Sequence, residues 1–388
     1  MKTDKIQFKM GSYQLNSDPN FNYQLNRTIM WGGGDIEDIK RIANKITDSV
    51  SWKRELIALG EKADEEGRVK EAIAYYRMSE FFMYDGDADK KKYYRLAVSM
   101  FYNYYRDYFI EKIIRYEVPY ENVKLPVLYA KAKDIKKDTI ILHGGNDSYM
   151  EELFFPMLYF AENGYDVYLF EGPGQGGVVR IQEKHFTYQW EKPVKAVLDY
   201  FGLKEVTIIG ASLGGMLAPR AAAFEKRIKR VIAWSVFPNF LDILISTQSV
   251  LVQKIIRLTL MLKLKWVVNL LFGIKLKKGD ELVKWGLKHG MYAYEAKSPY
   301  DYFVKMNQYQ MVDIAPFIDQ DMLIIGANKD HFIDYHMISK EIDVLNNVKS
   351  LTIRIFTEKE NAGAHCNVGN SELVLDTMLS WIESIRDN

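Results

Sequence analysis

A single cysteine, Cys366, stands among the 388 residues, so no internal disulfide can form and a thiolate zinc site is disfavoured. Neither sign of charge is in excess: 52 Lys and Arg face 51 Asp and Glu, for a formal net charge of +1. Bulk attraction to nucleic acid normally needs a strong basic surplus, so no nucleic-acid partner is expected. The 26 tyrosines are scattered and carry no RNA-binding signature. The opening "MKTDKIQFKM" has no apolar core of a secretory signal, which points to a cytoplasmic protein. A run of about twenty apolar residues is also missing. Lys254, Arg257, Lys263 and Lys265 interrupt the most apolar stretch, so no stable membrane insertion is expected. "FEGPGQGG" (170–177) has glycines after a strand, but Pro173 and the glycine spacing fit neither G-x-G-x-x-G nor G-K-[ST]. That leaves a structural turn. No cofactor and no metal are expected.

What is present falls into blocks, and the length exceeds what one hydrophobic core usually serves. Residues 1–116 read as an N-terminal helical domain. Its stretch "DIEDIKRIANKITDSVSWKRELIALGEKADEEGRVKEAIAYYRMSEFFMY" repeats apolar residues at spacings of three and four. Gly60 and Gly67 punctuate it, and Asp87 is placed to cap a helix through "KKYYRLAVSMFYNYYRDYFIEKII" (91–114). One segment resembles a helix-turn-helix repeat, but no second copy follows, which excludes an array. If the protein forms a homodimer, these helices are the expected contact.

From Val118 the pattern changes. "VKLPVLYAKA" alternates as a strand does, and "TIILHGG", "YDVYLFEG", "VTIIGAS", "RVIAWS" and "MLIIGAN" are short apolar runs, most with small residues at their ends. Such runs suit parallel strands buried on both faces, and helical segments lie between them. The prediction is an α/β fold, a mostly parallel sheet with helices on both faces, in two parts at 117–238 and 311–388. Ligands of such sheets bind at the carboxyl ends of the strands. Residues 239–310 interrupt the alternation with a basic helical insertion. A cap over that edge is expected, with Leu258 and Leu262 on its inner apolar face; an amphipathic membrane anchor is the rival.

The stretch "IIGASLGGMLAPR" (208–220) puts Ser212 in G-x-S-x-G, with a strand before it and a helix after it. That is the context of a nucleophile elbow, in which the serine oxygen projects from a tight turn above a helix N-terminus. A glycine-softened turn that happens to hold a serine is the bland alternative. Of the six histidines, His365 lies beyond the last strand, "LTIRIF", in a loop able to hang over the sheet edge. It is the expected general base. His143 ends a strand and belongs with the oxyanion loop. His185 and His289 read as polar surface, and His331 and His336 as loop or helix residues. Asp330, just past "MLIIGAN", is the expected acid, with Asp334 as its rival, since Ser, Asp, His is the chain order that accompanies a nucleophile elbow. The oxyanion donors expected are the N–H of Leu213 and that of Gly145 or Asn146 in "HGGNDS".

These motifs carry a resemblance. "LHGGNDSYMEE", "EGPGQGG", "GASLGGMLAPR", "GANKDHF" and "GAHCNVGN", after a helical N-terminal region, resemble α/β-hydrolases of the acylaminoacyl-peptidase or dipeptidyl-aminopeptidase-like kind. They are also similar to carbon–carbon bond hydrolases acting on pseudooxynicotine and fungal pigments. The resemblance implies an α/β-hydrolase fold with Ser212, Asp330 and His365 as triad. Two departures stand out. About 116 helical residues cannot build the β-propeller of the true oligopeptidases, and Glu171 stands where the family often has Asp. The expected function is a serine hydrolase acting on a small or medium hydrophobic ester or amide, a small molecule or short peptide. A β-diketone C–C hydrolase and a ligand-sensing protein of the same fold are the alternatives.

Overall fold

The structure, a computed structural model, describes residues 6–84, 86–246, 248–278 and 281–386. Its centre is an eight-stranded sheet. The strands are β1 (Ile113–Tyr120), β2 (Val123–Ala130), β3 (Asp138–His143), β4 (Tyr165–Phe170), β5 (Val206–Ala211), β6 (Ile228–Trp234), β7 (Asp321–Ala327) and β8 (Ser350–Phe356). They run in the order β1-β2-β4-β3-β5-β6-β7-β8. β1 pairs antiparallel with β2, and β2 with β4; every other neighbouring pair is parallel. The mainly apolar runs behave as their composition demands: β4, β5 and β7 are buried at every position, because helices cover both faces.

The helical reading through Ile114 is corrected. β1 begins at Ile113 and pairs residue for residue with β2, from Ile113 opposite Ala130 to Tyr120 opposite Val123. Local apolar spacing suggested a helix there, and pairing with a neighbouring strand outweighs such a propensity.

The N-terminal helices pack around Phe21, Trp52, Tyr75 and Phe82, and Val368 from beyond the last strand joins that core. Ile73 and Phe101 belong instead to the core beneath the sheet. Between β6 and β7 lie the helices Phe240–Ile245, Val250–Met261, Lys265–Lys278, Glu281–Ala293 and Pro299–Met306. Their two stems are tied together: Phe240 N–H donates to Tyr309 O at 3.1 Å and Met311 N–H to Pro238 O at 2.8 Å. Leu241, Ile245, Ile256, Val268, Tyr300 and Phe303 form a small core of this cap. Among the described residues, no helix is long and apolar enough to cross a membrane.

Candidate active site

Ser212 follows directly on β5 and has φ +61°, a left-handed backbone that a non-glycine residue adopts only under constraint, at about 1–3 kcal/mol. The constraint is visible. Ser212 N–H donates to Trp234 O at 3.1 Å, and Gly215 N–H donates to Ser212 O at 2.8 Å. A Cβ on Gly210 would lie 2.3 Å from Gly214 O, and one on Gly215 would lie 2.4 Å from Ser235 O. Glycine is therefore required at 210 and 215, whereas at Gly214, the second glycine of the motif, a Cβ would approach no closer than 3.2 Å, to Gly144 O. The Gly214–Phe224 helix starts immediately below, so its N-terminal dipole favours negative charge at this point.

β7 and β8 supply the partners. His365 Nε2 lies 2.8 Å from Ser212 Oγ, and His365 Nδ1 lies 2.6 Å from Asp330 Oδ2. Asp330 Oδ1 accepts from Phe332 N–H at 2.9 Å and Ile333 N–H at 3.0 Å, so both carboxylate oxygens are committed. Beyond His365, Cys366 and Asn367 are left-handed, with φ +47° and +56°. Asn367 anchors this bend: Trp234 Nε1 donates to its Oδ1 at 2.9 Å, and its Nδ2 donates to Ala362 O at 2.8 Å. Burial pulls the His365 pKa down, but the Asp330 carboxylate and its hydrogen bond outweigh that and hold the imidazole well above its ordinary value. Asp334 is not in this group; its carboxylate takes the exposed His336 ring at 2.7 Å.

Of the two candidate donors in the β3 loop, Gly145 N–H is engaged, donating to Ser148 Oγ at 2.7 Å. The N–H of Asn146 and that of Leu213 donate to no protein acceptor among the described residues. The orientation of Asn146 N–H is set from "GPGQG". Gln175 Nε2 donates to Gly144 O at 2.7 Å and to Gly145 O at 3.2 Å. In a planar trans peptide the N–H points opposite to the C=O, so holding Gly145 O aims Asn146 N–H the other way. Gln175 is itself fixed by Gly172 N–H, which donates to its Oε1 at 2.9 Å. Glu171 braces the same loop, accepting from Met150 and Gly177 N–H at 3.0 and 2.8 Å; burial and the neighbouring Glu151 push its pKa up to about 7. His143 is buried, its Nδ1–H donating to Gly144 O at 2.9 Å. Burial lowers its pKa to about 4, so it is neutral and structural.

A cavity of about 470 Å³ opens over Ser212. The cap lines it with Phe240, Ile243, Leu244, Trp285, His289 and Tyr302. The N-terminal Pro19–Met30 helix lines it too, and Tyr23 reaches His365, donating to its carbonyl oxygen at 3.3 Å. Arg27 from this helix is neutralised by Glu152, which it meets through Nε and Nη2 at 2.8 and 2.6 Å. Nothing in the local sequence marked these residues. Two expectations about the cap are corrected. His289 is not polar surface but buried, its Nε2 donating to Asp147 Oδ1 at 3.1 Å while its ring stacks on Trp285. Leu258 and Leu262 do not face Ser212; they are 49% and 54% exposed, because Ile256 and Val268 occupy the inward positions instead. Among the described residues, no cluster of His, Cys, Asp or Glu could hold a metal.

Comparison with known proteins agrees with this architecture. A family model for the alpha/beta hydrolase fold matches residues 140–359, more than half of the chain. The chain is 27% identical over 366 residues to hydrolase acrC of Aspergillus aculeatus, covering 85% of this chain and 83% of that one. It is 26% identical over 417 residues to 20-hydroxy-prefusarin hydrolase FUS2 of Gibberella moniliformis, covering 94% and 96%. Among solved structures, 2,6-dihydroxy-pseudo-oxynicotine hydrolase matches 92% of this chain and 94% of its own at a TM-score of 0.64 and 18% identity. AbyA5 matches 90% of each chain at 0.66 and 15%. At these identities the two structures share the fold.

Proposed function

The chain belongs to the α/β-hydrolase-fold family, and on that premise we propose that it is a serine hydrolase acting on a hydrophobic ester or amide of small to medium size. The observation that carries the proposal is the continuous relay from Asp330 through His365 to Ser212, with contacts of 2.6 and 2.8 Å. Ser212 Oγ attacks the carbonyl carbon while His365 Nε2 takes its proton. The tetrahedral oxyanion is held by the N–H groups of Leu213 and Asn146. His365 then returns the proton to the leaving group, and water releases the acyl group by the same steps in reverse order. The apolar wall of Phe240, Ile243 and Leu244 suits an acyl chain or an aromatic group.

A second reading is favoured by one feature. The Asp147–His289 pair shares the cavity with Ser212 and could deliver a proton to a carbon leaving group, as cleavage of a β-diketone requires. A panel of chromogenic esters, anilides and β-diketones separates the two readings. Turnover of esters or anilides well above that of the diketones supports the first, and the reverse ranking assigns the second.

Two further outcomes follow from the geometry. Gln175→Leu frees the carbonyl of Gly145, so Asn146 N–H loses its aim. Loss of one oxyanion donor costs about 10²–10³-fold in kcat elsewhere, and a fall of about 10² with little change in KM is expected here. An unchanged kcat would remove Gln175 from that role. In the cap, Phe240→Ala or Ile243→Ala should shift acyl-chain preference, whereas Leu258→Ala should leave it alone. Measuring kcat/KM across an acyl-length series checks both.

A further inference from the structure

The cap carries an apolar surface that none of the described residues covers. On the Val250–Met261 helix, Leu251, Ile255 and Leu258 recur at helical spacing and continue into Leu262, all exposed, with Leu251 at 68%. On the Lys265–Lys278 helix, Trp266, Leu270 and Ile274 do the same, with Trp266 at 70%. The opposite faces of both helices are already satisfied, because Ile256 and Val268 are buried against Tyr300 and Phe303. An ordinary surface helix turns polar residues outward. Here a second apolar stripe takes that place, and exposed patches of this kind mark interaction surfaces.

The charges select the partner. Lys254, Lys265, Lys275 and Lys277 on the same two helices, and Lys263 in the turn between them, are exposed and pair with no carboxylate among the described residues. From residue 248 to residue 278 the sequence has no Asp or Glu at all, although the whole chain is nearly neutral. Arg257 is neutralised by Asp242. A second copy of the chain is a poor occupant: a two-fold contact through this patch sets lysines against lysines with no acid between them. A surface that is apolar beneath and anionic on top is a good one. The helices, 12 and 14 residues long, are too short to span a bilayer, but they suit lying in its plane.

We propose that the helical hairpin of residues 250–278 docks the protein onto an anionic lipid surface. Its leucines and Trp266 enter the boundary between headgroups and acyl chains, and its lysines meet the lipid phosphates. This does not depend on the chemistry at Ser212. The full chain is tested by flotation with vesicles of phosphatidylcholine containing phosphatidylglycerol, and with phosphatidylcholine alone. Binding is expected to the first and not the second, and raised salt should release a large part of it, since charges are screened over about 8–10 Å at physiological ionic strength. Two independent double variants, W266D with L270D and K263E with K265E, should each lower partition at least about tenfold at unchanged melting temperature. Absence of wild-type binding to the anionic vesicles overturns the proposal, as does binding that both double variants retain. A solution dimer that W266D/L270D dissolves, with no vesicle binding, assigns the face to a second copy and overturns it equally.

Discussion

Ser212→Ala abolishes covalent labelling by a fluorophosphonate and lowers turnover by about 10⁶-fold, the size of effect found when the serine of an established triad is removed. This is the expected result because the hydroxyl at position 212 is the one that touches His365 Nε2, at 2.8 Å, and because the N–H of the next residue, Leu213, has no protein acceptor among the described residues. The variant should stay folded. Its Cβ keeps the same place, the left-handed turn is held by backbone hydrogen bonds to Trp234 and Gly215, and among the described residues the hydroxyl makes no hydrogen bond besides that to His365. The measurement is a gel-based labelling assay beside a thermal melt. Full labelling of a folded Ser212→Ala protein would move the nucleophile elsewhere. A wild type that takes up no label would instead favour a ligand-sensing protein built on the hydrolase fold.

The elbow was legible because its requirements are local. A strand, two close glycines and a helix start all fall within a few residues of Ser212, and backbone sterics demand them in that order. Asp330 and His365 were legible for a related reason: each follows a strand whose apolar run is easy to recognise, and parallel strands bring their carboxyl ends to one edge. What the Pro19–Met30 helix does could not be read in this way. Tyr23 touches a residue 342 positions away, and no spacing rule connects the two. Gln175 stands in a turn that reads as structural, yet its clamp on the loop after β3 depends on a partner 31 residues away. The cap misled for a different reason. Helical periodicity announces that an apolar stripe exists without saying what it faces, and the Val250–Met261 helix has two such faces. Ile256 takes the interior, so Leu258 and Leu262 are left outside.

Asp330→Asn is the second large effect, and the structure gives its direction as well as its size. Asp330 Oδ1 is bound by the N–H groups of Phe332 and Ile333, and an asparagine must keep its oxygen there, since its NH₂ cannot accept. The NH₂ then faces His365 Nδ1 and donates to it. Nδ1 becomes the acceptor, the ring proton moves to Nε2, and Nε2 can no longer accept the proton of Ser212. The same inversion of tautomer costs about 10⁴-fold in kcat in a serine protease, and a loss of that order is expected. The pH profile supplies an independent check. The base works only when neutral, so activity is lost as the pH falls through the His365 pKa, by about tenfold per unit below it. Burial lowers that pKa and the Asp330 carboxylate raises it by more, which places the acidic limb of wild-type kcat/KM above the ordinary histidine value. With the carboxylate gone and burial unchanged, the residual activity of Asp330→Asn should show that limb at lower pH. Asp334→Asn, whose side chain accepts from the exposed His336 and its backbone N–H, should alter neither plateau nor limb. If Asp334→Asn brought the large loss and Asp330→Asn did not, the acid would have to be reassigned.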